Sequence, residues 1–150
     1  MPDKLKYKFK LLIDCIDGAH LKHEWIREIE LSAEMTCHEL HQWIAKEIGF
    51  YKNHPFSFYY GDKYGQKYET VIEPLMPYRY FCFQEDWKAI TVRELFPMIK
   101  RNRWLYYNYD NMASWIFRLK KIGKDHITEE NEQTKIIKSL GKNPQQYTNE

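Results

Sequence analysis

Residues 4–13 read KLKYKFKLLI, with Leu5, Tyr7, Phe9, Leu11 and Ile13 on alternate positions and Lys4, Lys6, Lys8 and Lys10 between them. A period of two marks a β-strand with one buried and one wet face, because successive side chains of a strand point to opposite sides. The lysines look like a cationic patch, but on a strand they keep an edge or open face soluble. After the turn signal Asp17-Gly18, Trp25, Arg27, Ile29 and Leu31 oppose Ile26, Glu28 and Glu30 in a second alternating run. Its length suits an antiparallel partner, so the two runs predict a hairpin. The loop between them, residues 19–24, carries His20 and His23, read as solvated rather than metal-bound.

A helix is expected next. Thr36 and Glu39 have the Thr-x-x-Glu spacing of a capping box, in which the hydroxyl and the carboxylate each accept from the other residue's amide. Met35 and Leu40 stand as a hydrophobic staple, and Leu40, Trp43, Ile44 and Ile48 continue one apolar stripe to a stop at Gly49. The same device recurs at Thr91 and Glu94, with Ile90 and Leu95 as the staple. Pro97 follows, removing a backbone donor, so this second helix is expected to be short or kinked.

Phe56, Phe58 and Tyr60 alternate with Ser57 and Tyr59, and residues 78–83 are a further aromatic run; both predict strands. Residues 66–77 contain two prolines and predict a long loop with one short strand. Leu105, Tyr107 and Tyr109 lead into Trp115, Phe117 and Leu119 as a closing hairpin. These elements predict an α+β fold: one mixed, mainly antiparallel β-sheet with helices packed on one face, β-grasp-like, over residues 2–123. From 124 to 150 the chain is rich in Glu, Lys, Asn and Gln and predicts a polar tail, with a short helix over 128–140 whose stripe is Ile136, Ile137 and Leu140.

At 150 residues the chain can bury about two thirds of its unfolded surface, and its 17% aromatic content provides large side chains with which to do so. No stretch approaches the roughly 20 apolar residues of a membrane span and the start lacks a secretory run, so a cytoplasmic protein with no membrane partner is expected. Cys15, Cys37 and Cys82 are odd in number and widely spaced, which suits buried thiols rather than a disulfide framework. A net charge of +2 gives no global footprint for nucleic acid, and any basic patch must be local.

Three stretches carry a family resemblance: Trp25-Ile26-Arg27, the Thr36 to Ile44 helix start with Glu39, Leu40 and His41, and the hairpin from Tyr107-Asn108-Tyr109-Asp110 to Trp115. In their order and spacing they resemble the Ri-plasmid ORF-3-like family, whose members are plasmid- or transposon-associated and uncharacterised. The family's hairpin is similar to Tyr-x-Tyr-Asp-Phe-Gly-Asp-x-Trp-Glu-His. This chain keeps Tyr107, Tyr109, Asp110 and Trp115 but has Asn111, Met112 and Ala113 for Phe-Gly-Asp, and Ile116 and Phe117 for Glu-His. The family's paired histidines before the third strand are represented by His54 and Phe56, and its Pro-Pro-Glu-Asp-x-Gly-Gly segment is absent. A site built on those polar residues in relatives is therefore expected to be lost.

Candidate binding positions are His41, His54, Tyr59, Tyr107, Tyr109, Asp110 and Trp115. Cys37, His38 and His41 lie together at a helix start, yet no Glu-x-x-His or second Cys/His pair completes a zinc site, so no metal or cofactor is expected. No nucleophile elbow or phosphate-cradling glycine loop is present, and Asp110 suits an Asx-type turn. The leading expectation is a non-catalytic module that binds protein through a sheet edge or a tyrosine-rich surface, given Tyr59, Tyr60, Tyr64, Tyr68 and Tyr78. The alternative is single-stranded nucleic acid, given Lys63, Lys67, Arg79 and the Lys100, Arg101, Arg103 group beside Trp104. An enzyme would require His41, His54 and Asp110 to share one pocket.

Overall fold

Both alternating runs form strands in the computed structural model, which describes residues 6–50, 55–73, 86–97, 99–109, 114–128 and 133–144. β1 (Lys6–Asp17) and β2 (Ile26–Ser32) pair antiparallel, with Phe9 opposite Leu31, Leu11 opposite Ile29 and Ile13 opposite Arg27. This register stacks Phe9, Leu11, Ile13 and Cys15 of β1 with Arg27, Ile29 and Leu31 of β2 on one buried face. The lysine face is only partly wet: Lys10 is exposed, whereas Lys8 is buried with its Nζ 3.8 Å from Glu30.

The one α-helix of the described residues, α1 (Cys37–Ile48), starts where the capping box places it. The Glu39 amide donates to Thr36 Oγ1 at 3.1 Å and the Thr36 amide to Glu39 Oε1 at 2.9 Å. Gly49 ends it at φ 83°, a left-handed conformation that costs a glycine nothing. Cys37, Leu40, His41, Ile44, Ala45 and Ile48 face the sheet. Thr36→Ala is expected to lower stability by about 1 kcal/mol, read as a lower urea midpoint at unchanged slope.

The second capping box also forms, the Thr91 amide donating to Glu94 Oε1 at 2.8 Å, but only a 3-10 turn, Arg93–Leu95, follows before Pro97. The two helix starts meet as well: Cys37 N–H donates to Ile90 O and Val92 N–H to Met35 O, forming a bridge between Thr36 and Thr91. This holds the turn against the start of α1.

Five more strands complete the sheet: β3 (Phe56–Gly61), β4 (Lys67–Ile72), β5 (Trp104–Tyr109), β6 (Trp115–Thr128) and β7 (Lys135–Leu140). Their order is β4-β3-β5-β6-β1-β2-β7, and every pairing is antiparallel. Phe9, Leu40 and Phe117 belong to a single apolar core on the α1 side. The expected α+β layout, with helices packed on one face of a mixed sheet, is thereby overturned: the protein is mainly β, seven antiparallel strands with one α-helix among the described residues. The aromatic run 78–83 lies outside those residues.

The short helix expected over 128–140 is also overturned where that span is described: Thr128 and residues 135–140 are strand. β6 runs on to Thr128, and residues 135–140 add to the free edge of β2. Adjacent β-branched Ile136 and Ile137 favour a pleated strand, and the register sets Lys138 opposite Glu28 and Lys135 opposite Glu30. A helix would satisfy the same apolar spacing but would leave the β2 edge unpaired and those glutamates without opposite lysines.

Candidate functional site

Of the positions singled out in the sequence, four converge in the interior. α1 turns His41 toward the sheet, where its ring stacks on Phe56 at a centroid distance of 3.8 Å and an angle of 12°. Its Nδ1 lies 2.5 Å from the Tyr107 hydroxyl on β5. Complete burial pushes the Tyr107 hydroxyl well above its ordinary pKa, so it keeps its proton. Tyr109 is 6.3 Å from Tyr107, and Phe50 bridges Tyr109 at 5.8 Å to Trp115 at 4.8 Å. All four candidates are at most 4% exposed. They form an aromatic core that includes the His41–Tyr107 hydrogen bond, and not an exposed surface.

Tyr59 lies apart from them on the opposite face, stacked on Tyr106 at 5.2 Å, with its hydroxyl donating to Gly65 O at 2.9 Å. His54 and Asp110 lie outside the described residues. Burial pushes the Cys15 thiol up to about 12 and the Cys37 thiol higher, so neither is a thiolate nucleophile at neutral pH.

Exposed chemistry instead sits at the two margins of the sheet. At the β4 margin Tyr64 is 78% and Tyr68 53% exposed, each with a cation near its ring: Lys63 Nζ 5.0 Å from Tyr64 and the Arg103 guanidinium 3.8 Å from Tyr68. Tyr60, Tyr68, Glu69, Lys100 and Arg103 line a cleft of about 160 Å³ there. At the β7 margin the exposed apolar side chains are aliphatic, Ile136, Ile137 and Leu140, beside the exposed Lys135 and Lys138; inside that margin, Tyr7 and Ile127 are exposed as a facing pair on β1 and β6.

What fixes β7 is Arg27, which the sequence reading passed over as one more residue of an alternating run. Its side chain points inward between Trp25 and Ile29 and is only 5% exposed. It donates to Leu140 O at 3.0 Å, Gly141 O at 3.1 Å, Asn143 Oδ1 at 3.3 Å and Glu47 Oε2 at 3.0 Å, and its guanidinium lies 4.3 Å from the Trp25 ring centroid. Asn143 joins the same knot, accepting from Trp25 Nε1 at 2.7 Å and donating to Glu47 O at 2.9 Å. The signal was available: an arginine on the apolar parity of a strand must bring its own acceptors. Ile136, Ile137 and Leu140 were read only as a helix stripe.

No helix among the described residues is long and apolar enough to cross a membrane. No curated protein matches this chain. A crystal structure of a protein of unknown function, MM3350 from Methanosarcina mazei Go1, is similar over 89% of this chain and 69% of its own, with a TM-score of 0.60 at 15% identity, a likeness of fold alone. The sequence matches a family described as plasmid pRiA4b ORF-3-like protein over residues 15–146, from the end of β1 through all of β7, and the chain belongs to that family.

Proposed function

We propose that this protein is a non-catalytic, cytosolic interaction module that binds a protein partner by adding the partner's strand to the β7 edge. The observation that carries this reading is the character of β7. It ends the sheet, so its outer backbone groups have no strand partner among the described residues, and it exposes three large aliphatic side chains. Unpaired strand edges with pockets or patches for alternate side chains are a recurrent mode of peptide recognition. The tyrosine surface expected from the sequence supports the reading less, because Tyr59 and Tyr60 are buried and Tyr78 lies outside the described residues. The buried free thiols of Cys15 and Cys37 suit a reducing cytosol.

Charge selects the partner. On its inner side β7 already pairs with a strand of alternating acidic and aliphatic residues, Glu28 and Glu30 facing Lys138 and Lys135. An incoming strand of the same chemistry satisfies the same lysines and covers the isoleucines, whereas a second copy of this chain would bring its own lysines against them. The test is an NMR titration of the full chain with an acidic–aliphatic peptide and a lysine–aliphatic control. The expected result is shifts confined to β7 and its neighbours with the acidic peptide, abolished by Ile137→Glu. Equal binding of both peptides, or shifts elsewhere, would refute it.

A further inference from the structure

We propose that the opposite margin of the sheet, where the β3–β4 turn meets the start of β5, is a binding site for single-stranded nucleic acid. The inference is independent of the β7 edge. Although the whole chain carries a net charge of only +2, Lys63, Lys67, Lys100, Arg101 and Arg103 gather at this one end. The pairings of Gly61 with both Lys67 and Trp104 bring the two segments side by side. Asp62 and Glu69 stand among these cations, and Asp62 accepts from the backbone amides of Tyr64 and Gln66 at 2.9 and 3.0 Å.

Positive charge alone would suit any polyanion; the rings narrow the choice. Tyr64 and Tyr68 are the two most exposed of the described large apolar side chains, and both stand beside cations. That mixture, open aromatic faces interleaved with phosphate-binding side chains, is what a single strand needs, since its bases are free to stack while its backbone is neutralised. A duplex keeps its bases stacked on each other and cannot use these rings. The cleft lined by Tyr60, Tyr68, Glu69, Lys100 and Arg103, about 160 Å³, is well below the roughly 300 Å³ at which cofactor-sized pockets begin, and so takes one flat ring rather than a whole cofactor. Glu69 in its wall is an acceptor for the exocyclic amine of a base.

The test is fluorescence anisotropy of the full chain with a short labelled oligodeoxycytidylate and with a duplex of the same length. Three phosphate contacts predict a log–log salt slope of about −2, so binding should weaken about 20-fold between about 50 and 200 mM KCl. Tyr68→Ala should weaken it a further 10-fold or about that at either salt while leaving the slope unchanged. Arg103→Ala should make the slope shallower by about 0.7. Tyr7→Ala, an exposed tyrosine on β1 away from this end, should change nothing. Tyr64→Ala provides a second ring variant, with thermal melting to show that each variant is folded. Absence of binding at low salt, equal affinity for duplex, or insensitivity to both tyrosine variants with equal displacement by polyglutamate would each overturn the proposal. The last outcome would assign the end of the sheet to acidic protein instead.

Discussion

Gly141→Ala is expected to detach β7 from the sheet at a cost of about 2–4 kcal/mol. Gly141 has φ 91°, and a Cβ there would overlap the backbone carbonyl of Glu24, coming within 2.7 Å of its carbon. Backbone cannot step aside as a flexible side chain can. The segment must move outward, taking the Gly141 carbonyl from Arg27 and the Asn143 amide from Trp25 and Glu47. Gly123→Ala is the matched control: its φ is 70°, yet a Cβ would meet nothing within 4 Å. That variant bears only the left-handed penalty of about 1–2 kcal/mol. Hydrogen exchange should show β7 amides losing protection in the first variant and keeping it in the second, with β1 and the Trp115 end of β6 protected in both.

Arg27→Ala should be comparably damaging, about 3 kcal/mol, by a different route. Removing a buried cation strands its partners, and the cost of such a break is usually about 3–5 kcal/mol. Glu47 is a quarter exposed and recovers part of its hydration, which places this case at the lower end. The Leu140 and Gly141 carbonyls lose their side-chain donor together, so the β7 end and the last turn of α1 should loosen as a unit. Arg27→Lys should rescue only in part, because an ammonium cannot reproduce the planar fork that reaches carbonyls and carboxylate at once. Urea melts of the two variants, with near-ultraviolet dichroism to follow Trp25, would check this order.

The parts of the fold that were legible in the sequence are those specified by neighbours along the chain. β1 and β2 announced themselves by alternation, and α1 by a capping box that needs only Thr36 and Glu39. β7 was not legible because its apolar residues, Ile136, Ile137 and Leu140, also fit one helical face; only the distant edge of β2, with Glu28 and Glu30, decides for the strand. The α+β expectation erred at that point, counting a helix where the sheet gains its last strand. Four of the candidate positions, His41, Tyr107, Tyr109 and Trp115, proved to be core residues for a related reason. A run such as Tyr106, Tyr107, Asn108, Tyr109 does not say which tyrosines face inward, and hydroxyls look like surface groups until their partners are known. Tyr107 finds His41, and Tyr60 donates to Leu95 O at 2.5 Å. Tyr59, Tyr60, Tyr106, Tyr107 and Tyr109 are thus consumed inside, leaving Tyr64 and Tyr68 as the described tyrosines that stand open beside cations.

Both proposed binding edges depend on the sheet ending at β4 on one side and at β7 on the other, and β7 is the strand whose assignment changed the fold. Nuclear Overhauser contacts between β2 and residues 135–140 measure that assignment directly. Cross-strand contacts linking Glu28 with Lys138 and Ile29 with Ile136 are the expected result. Sequential helical contacts three and four residues apart within 128–140, with none to β2, would contradict it.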